Sequence, residues 1–219
     1  IDGNTNVFLG KEAGFSNTGD NNVYVGYKSG YSSTGTNNVI IGTRSDVIGS
    51  TNVLLGNNIS GNANKSIVLG TNVQNVNDDA IAIGNNIIEA HIDSIVIGKE
   101  SKSGGQSVII GGSTDALHLN SVSVGYSNTL TGDNSTAVGH SSSVATGSTS
   151  VGKGSASASN AVSIGTNANA GVESVIIGAE TDAHSYDSSV SVGYSNTLTG
   201  DNSTAVGTQV SVQSSSSSI

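Results

Sequence analysis

The sequence predicts an all-β fold, a parallel β-roll of about fifteen short coils of 13–16 residues stacked on one another. Three observations predict it. A five-residue motif, written small–β–x–β–Gly with β usually Val, Ile or Leu, recurs from one end of the chain to the other. The glycines that end it are 13 to 16 residues apart. The segment SVSVGYSNTLTGDNSTAVG, residues 121–139, returns unchanged as residues 189–207, as expected of a part that is made to be stacked.

We name the last residue of each motif the ladder glycine, and we expect it at the turn where each coil leaves its strand. Glycine tolerates backbone angles that other residues avoid, so it suits such a turn. The ladder glycines are Gly10, Gly26, Gly42, Gly56, Gly70, Gly84, Gly98, Gly111, Gly125, Gly139, Gly152, Gly165, Gly178, Gly193 and Gly207.

Each repeat predicts two short strands and two turns. A β-prone run such as NNVIIG is followed by a polar stretch, and a Gly or Asn cluster, as at residues 17–20, 61–64 and 132–134, turns the chain back. One coil of this size buries nothing by itself. Stacking pairs equivalent strands, parallel and in register.

Alternation along a strand divides its residues between two faces. The positions three and one before the ladder glycine are nearly always Val, Ile or Leu, so we expect them inside the coil, with Thr136, Thr149 and Thr204 as the main exceptions. The predicted roll core comprises Val39, Ile41, Val53, Leu55, Ile67, Leu69, Ile81, Ile83, Ile95, Ile97, Val108, Ile110, Val122, Val124, Val162, Ile164, Val175, Ile177, Val190 and Val192.

The residue between those two positions then points outward. Over eight coils it would form an apolar stripe of about 400 Å² on a monomer, so we expect other copies of the chain to cover it. The predicted interface between copies comprises Phe8, Tyr24, Ile40, Leu54, Val68, Ala82, Val96, Ile109 and Ile176. Later coils mostly carry Ser or Ala at this position.

Composition disfavours several classes of partner. The net charge of −9 argues against nucleic acid, whose phosphates need basic contacts. All seven basic residues precede residue 154, which disfavours an anionic membrane surface for the last third of the chain. Without Cys, neither a disulfide scaffold nor a thiolate metal site is available. Since the chain begins at Ile1 rather than Met, we expect a fragment or a processed product.

The units DSIVIGKES, NAVSIGTNANAG and SVIIGAET resemble the head repeats of YadA-like trimeric autotransporter adhesins. The resemblance implies a left-handed parallel β-roll and a side-by-side homotrimer. The first two units, which include KEAGFSNTGDNNVYVG, are longer and resemble repeats of bacterial surface and phage-type trimeric fibre proteins. We expect one repeat domain over residues 1–210 and a frayed Ser-rich tail over residues 211–219.

The resemblance implies a structural and adhesive role as the head or shaft of a trimeric surface fibre. The expected partners are two further copies of the chain and a host matrix protein or cell-surface glycan, met through repeated outer faces. The alternative is a rigid spacer in a phage-type tail fibre or another appendage. The expected location is the bacterial outer surface or a virion fibre, without membrane insertion of this segment.

No constellation in the sequence predicts catalysis, a cofactor or a metal. His91, His118, His140 and His184 are scattered, and the Asp and Asn of the turns lack a calcium-roll motif. The run GKGS at residues 152–155 lacks the phosphate-loop frame. An acyltransferase of the hexapeptide-repeat type would need an aliphatic residue every six, and an ice-binding solenoid would need aligned Thr; neither pattern is present.

Five basic residues follow a ladder glycine by one or two places: Lys11, Lys28, Arg44, Lys99 and Lys153. Stacking would align several of them along one outer edge. A charged edge of this kind blocks unwanted strand pairing, or it docks an acidic or sulfated partner.

Overall fold

The computed structural model describes residues 4–183 and 185–213. The chain forms a parallel β-solenoid of about 15 turns, and none of the described residues lies in a helix. It divides into two compact units, Ile1–Ile110 and Gly111–Ile219, which are described in turn. A single repeat domain over residues 1–210 stays a prediction.

The first unit contains the first nine strands and most of the tenth. They are β1 (Val7–Leu9), β2 (Val23–Val25), β3 (Val39–Thr43), β4 (Asp46–Ile48), β5 (Val53–Asn62), β6 (Ile67–Val76), β7 (Ile81–Asn85), β8 (Ile95–Lys99), β9 (Lys102–Ser103) and β10 (Val108–Gly112). The motif strands form the first sheet in the order β1-β2-β3-β5-β6-β7-β8-β10. Strands β5 and β6 are ten residues long because they continue past the ladder glycine onto the other side of the coil, where β4 also pairs with β5.

The second unit is more regular. Its strands are β11 (Asp115–Ala116), β12 (Val122–Tyr126), β13 (Thr129–Leu130), β14 (Thr136–His140), β15 (Ser143–Val144), β16 (Thr149–Lys153), β17 (Ala156–Ser157), β18 (Val162–Ile164), β19 (Asn169–Ala170), β20 (Val175–Ala179), β21 (Asp182–Ala183), β22 (Val190–Tyr194), β23 (Thr197–Leu198), β24 (Thr204–Thr208) and β25 (Ser211–Val212). The even-numbered strands form its first sheet, and the odd-numbered strands form a second sheet of two-residue strands.

The strand pairs that the structure describes are parallel, and motif pairs with motif in register. Ile40 lies opposite Leu54 and Gly42 opposite Gly56 in the first unit. In the second unit Ala137 lies opposite Ser150. The structure therefore confirms the predicted stacking of equivalent coils.

The two faces of the motif strands are the reverse of those predicted. The middle residue of the motif, assigned to an interface between copies, points into the coil: Tyr24, Ile40, Leu54, Val68, Ala82, Val96, Ile109 and Ile176 are buried, and Phe8 is half-buried. We name these middle residues the inner column.

The residues assigned to the core point outward instead. In each unit they form two parallel rows, which we name the outer columns, and each is half-buried or exposed: Val39, Ile41, Val53, Leu55, Ile67, Leu69, Ile81, Ile83, Ile95, Ile97, Val108, Ile110, Val122, Val124, Val162, Ile164, Val175, Ile177, Val190 and Val192. Thr136, Thr149 and Thr204 lie in the same rows. The thin coil has room for one large side chain per motif, which explains the reversal.

A small polar residue four places before the ladder glycine shares the inside with the inner column. Asn38 and Asn52 are buried there, and each accepts the backbone N–H of the next coil's equivalent residue through its Oδ1, as Asn52 does from Ser66 at 2.9 Å. The amide of Asn52 donates in turn to the carbonyl of Ala63 at 2.7 Å. This buried asparagine ladder links successive coils through their side chains.

Buried hydroxyls and amides fill the thinner coils of the second unit. Asn128 donates to Ser123 Oγ at 3.2 Å, and Asn196 makes the same bond to Ser191 in the duplicated segment. Among the described residues, every buried side-chain nitrogen or oxygen has a hydrogen-bond partner. The interior is therefore partly polar, but it is fully bonded.

The ladder glycines are required by both backbone angle and space. Gly42 has φ +147° and Gly84 has φ +150°, in a region that L-residues avoid. A Cβ on Gly42 would overlap the carbonyl oxygen of Gly56, and a Cβ on Gly84 would overlap that of Gly98. Consecutive ladder glycines therefore pack backbone against backbone.

The coil structure continues into the segment predicted to be a frayed tail. Strand β25 pairs with β23, and Val212 is buried. Val212 is buried because it occupies the inward position of the second sheet, as Leu198 does one coil earlier. Residues 214–219, the rest of the predicted tail, lie outside the described residues.

Candidate functional surfaces

The outer columns of the first unit form a continuous apolar face. Ile41, Ile67 and Ile97 expose 43%, 42% and 37% of their surface. Register pairing places each column residue directly against its equivalent, as Ile67 against Ile81 and Leu69 against Ile83. Parallel sheets with apolar residues on both faces are usually covered on both.

The outer columns of the second unit are similar but carry hydroxyls. Thr136 and Thr149 lie opposite each other between coils. Aliphatic residues continue the columns on later coils, where Ile164 is 38% and Ile177 41% exposed. This face is therefore apolar, with threonines on β14, β16 and β24.

Aromatic and basic side chains cluster at the first coils of the first unit. Phe8 stacks on Tyr24 inside the coil at 5.0 Å, while Phe15 stacks on Tyr31 outside it at 5.1 Å. Lys28 lies 5.0 Å from the Tyr31 ring centre and 3.3 Å from a Glu12 oxygen. Stacked rings and the cation–π contact tie these two longer coils together.

The predicted basic row is interrupted after the first coils. Lys28 is paired with Glu12, which raises the pKa of Lys28 through a hydrogen bond and its charge. Arg44 lies 5.6 Å from the Tyr27 ring centre. Between Arg44 and Lys99 the positions that follow the ladder glycines are Asn or Thr, so the cations do not form a continuous strip in the first unit.

A second feature of the first unit was not predicted from the sequence. Asn58, Asn72 and Asn86, each two residues after a ladder glycine, line a shallow depression of about 400 Å³ together with Gln74, Ile87 and Ile88. We name it the amide groove. Asn58 Nδ2 donates to Asn72 Oδ1 at 2.8 Å, and Asn72 Nδ2 donates to Asn86 Oδ1 at 3.0 Å.

The histidines do not converge. His91 bonds the Ser103 carbonyl, His118 lies 3.5 Å from Asp133, and His140 stacks on Tyr126 at 5.4 Å. His184 lies outside the described residues. Within the described ranges, no group of three or more His, Asp or Glu side chains is arranged to hold a metal ion.

The part of the chain that the structure describes contains no apolar helix of membrane-spanning length.

No protein-family model and no curated protein sequence matches the chain. The fold and its surfaces therefore define the class: a parallel β-solenoid repeat protein with an apolar face on the first sheet of each unit.

Proposed function

We propose that the chain is a structural and adhesive segment of a trimeric surface fibre, in which three copies associate side by side through their outer columns. One observation carries the association: twin rows of half-buried and exposed Val, Ile and Leu line the outer face of the first sheet, in register from coil to coil. The number three and the left-handed roll come from the resemblance of the repeats to YadA-like heads.

The size of the apolar face supports association. Eight coils with a rise of about 4.8 Å and a width of about 10 Å give roughly 400 Å² in the first unit alone. Exposed apolar patches of this size are commonly functional. Burying such a face against other copies would stabilise a coil whose own interior takes one large side chain per motif.

The location that we propose is the bacterial outer surface or a virion fibre. In the adhesive form of the proposal, a host matrix protein or a cell-surface glycan meets repeated outer faces that the other copies leave open. Many weak, equivalent contacts would give the attachment its strength.

Substitution of the outer columns tests the association. We expect the full chain to sediment as a trimer and the double variant Ile67→Lys/Ile97→Lys to sediment as a folded monomer, because two lysines per copy would be desolvated in the interface. The matched control is Ile48→Lys/Ile92→Lys in the same unit. Its isoleucines are more exposed, at 56% and 53%, but they lie outside the outer columns. A wild-type chain that stays monomeric and folded at high concentration would refute the proposal.

A spacer in a tail fibre is the second candidate function. The second sheet of the second unit favours it, because its outward positions carry small or polar side chains such as Thr129, Ser143 and Ala156. A trimer that binds neither matrix proteins nor glycans on coated surfaces would favour the spacer over the adhesin.

A further inference from the structure

The amide groove presents hydrogen-bonding groups that the fold does not use. The ladder of side chains occupies Asn58 Nδ2, both polar atoms of Asn72, and Asn86 Oδ1. Among the described residues, Asn58 Oδ1, Asn86 Nδ2 and the Gln74 amide have no hydrogen-bond partner. The groove therefore offers acceptors and donors side by side.

The lining of the groove is uncharged. Its residues are three Asn, one Gln and two Ile. Two residues after the ladder glycine, the coil before the groove carries Arg44, and the coil after it carries Glu100, which pairs with Lys99 at 3.2 Å. Because no charged side chain lines the groove, a neutral ligand suits it best.

Ile88 gives the groove an apolar side. It is 43% exposed, while its neighbour Ile87 is fully buried beneath the groove. Hydroxyl groups, which both donate and accept, match the amides, and the C–H faces of a sugar ring match the isoleucine. An oligosaccharide presents both kinds of group.

An extended peptide fits less well. Peptides that add to a sheet need unpaired backbone groups at its edge. Here the backbone is paired along the stack: Gln74 N–H donates to the Ile87 carbonyl, and Asn86 N–H donates to the Thr71 carbonyl, both at 2.9 Å. Side-chain amides alone remain available.

The repeat of the groove suits a repeating ligand. One Asn stands on each of three successive coils, with a rise of about 4.8 Å per coil. That rise is comparable to the length of one pyranose residue in an extended β-linked chain. A saccharide lying along the stack would therefore meet one amide per sugar.

We propose that the amide groove is a binding site for a neutral β-linked oligosaccharide. The site deepens the adhesive function by naming the class of partner, and in that sense it rests on the proposed function. Gln74 and Ile88 each lie four residues after a ladder glycine, away from the outer columns. The binding of a saccharide therefore does not require association of the copies.

The test uses the full chain and a panel of hexasaccharides: neutral β-linked glucose, N-acetylglucosamine and galactose chains, with heparin and polyglucuronate fragments as acidic probes. We expect at least one neutral chain to bind in calorimetry and the acidic fragments not to bind. Gln74→Ala should weaken that binding by roughly three- to tenfold, the effect of one hydrogen bond. Asn72→Gly should weaken it as well, and it keeps the left-handed backbone that Asn72 adopts at φ +53°.

The matched control is Asn134→Gly in the second unit. Asn134 has φ +58° and accepts from Asn120 Nδ2 at 3.3 Å, so it has the same backbone and a similar ladder bond outside the groove. This variant should bind as the wild type does. Failure of every neutral hexasaccharide to bind, or binding that Gln74→Ala and Asn72→Gly leave unchanged, would overturn the proposal.

Association is measured separately. The Ile67→Lys/Ile97→Lys variant should keep wild-type affinity per chain for the hexasaccharide even as a monomer. If the wild-type chain binds the saccharide but forms no trimer, only the proposed trimeric fibre is refuted. If it forms a trimer but binds no saccharide, only the proposed binding site in the amide groove is refuted.

Discussion

Ile40 and Ile41 are sequence neighbours on β3 with opposite environments. Ile40 is fully buried inside the coil, whereas Ile41 exposes 43% of its surface on the apolar face. The same hydrophobic side chain therefore stabilises the coil at one position and is available to other copies of the chain at the next.

Alanine substitution of the two residues should separate these roles. Ile40→Ala should lower the free energy of unfolding by about 2–5 kcal/mol, because it leaves a cavity in a closely packed coil. Ile41→Ala removes exposed atoms and should cost much less in dilute protein.

Urea denaturation at a series of protein concentrations checks this pair. The loss from Ile40→Ala should persist at every concentration, while the loss from Ile41→Ala should grow with concentration as the copies associate. Equal losses in dilute solution would contradict the assignment of the faces.

Gly84→Ala should prevent the folding of the first unit or severely destabilise it. Its Cβ would overlap the Gly98 carbonyl, and its φ of +150° is strained for any L-residue. Gly147→Asn is the control, because Gly147 has φ +67° and its equivalents on the adjacent coils, Asn134 and Asn160, already hold this conformation.

Thermal unfolding followed by circular dichroism compares the two glycine variants. We expect the Asn variant at position 147 to melt close to the wild-type temperature, because its Cβ would meet only the end of the Asn160 side chain, which can move aside, and not the backbone. Comparable melting of the two variants would show that the ladder glycine is not required for close stacking.

The period, the parallel register and the turn glycines can be predicted from the sequence alone, because the same motif recurs in every repeat. Hydrophobicity alone, however, does not show which face of each strand points into the coil. In VIIG all three residues before Gly42 are aliphatic, so alternation defines two faces without saying which is inside. A signal existed: buried Asn38 and Ser66 lie two residues before inner-column positions, and small polar residues recur there.

The amide groove required coordinates for a different reason. Asn58, Asn72 and Asn86 are 14 residues apart and could be aligned by period. The contribution of Gln74 and Ile88 depends on how the strand bends after Asn72, at φ +53°, and on which side chains then stand exposed. Repeat spacing does not contain that information.

Asp46→Asn should stabilise the protein at neutral pH. Partial burial raises the pKa of Asp46 above its ordinary value of 3.8, against hydrogen bonds from Ser32 and Ser33 that lower it. A raised folded-state pKa means that the folded chain holds its proton more tightly, so stability falls as the pH rises from 3.8 through the folded-state pKa. Asparagine keeps the Oδ1 that accepts the Ser32 N–H at 2.9 Å and has no charge to bury.

Urea midpoints of this variant and the wild type should therefore diverge as the pH rises from acidic to neutral and coincide at the acidic end. Asp201→Asn controls for the change in net charge, since exposed Asp201 also accepts a backbone N–H, from Asp187 at 3.0 Å. A constant difference between Asp46→Asn and the wild type at all pH values would contradict the prediction.

Tyr24→Phe should protect the first unit against alkali. Burial raises the pKa of Tyr24 from 10.0 to about 12, because its ring lies inside the coil against Phe8. The protonated phenol is thus favoured in the folded state, and the stability linked to it is complete below pH 10 and lost as the pH rises from 10 to 12. At neutral pH the change should cost about 1 kcal/mol, the hydrogen bond from Tyr24 Oη to Asn17 Oδ1.

Urea midpoints across pH 10 to 12 measure the effect. The wild type should lose stability over this range faster than Tyr24→Phe, so that the two curves converge or cross. Tyr194→Phe is the control, because it removes the same hydroxyl from a side chain that is 51% exposed. Parallel curves for Tyr24→Phe and the wild type would mean that the Tyr24 phenol is not confined to the interior, and with it the inward direction of the inner column at β2 would fail.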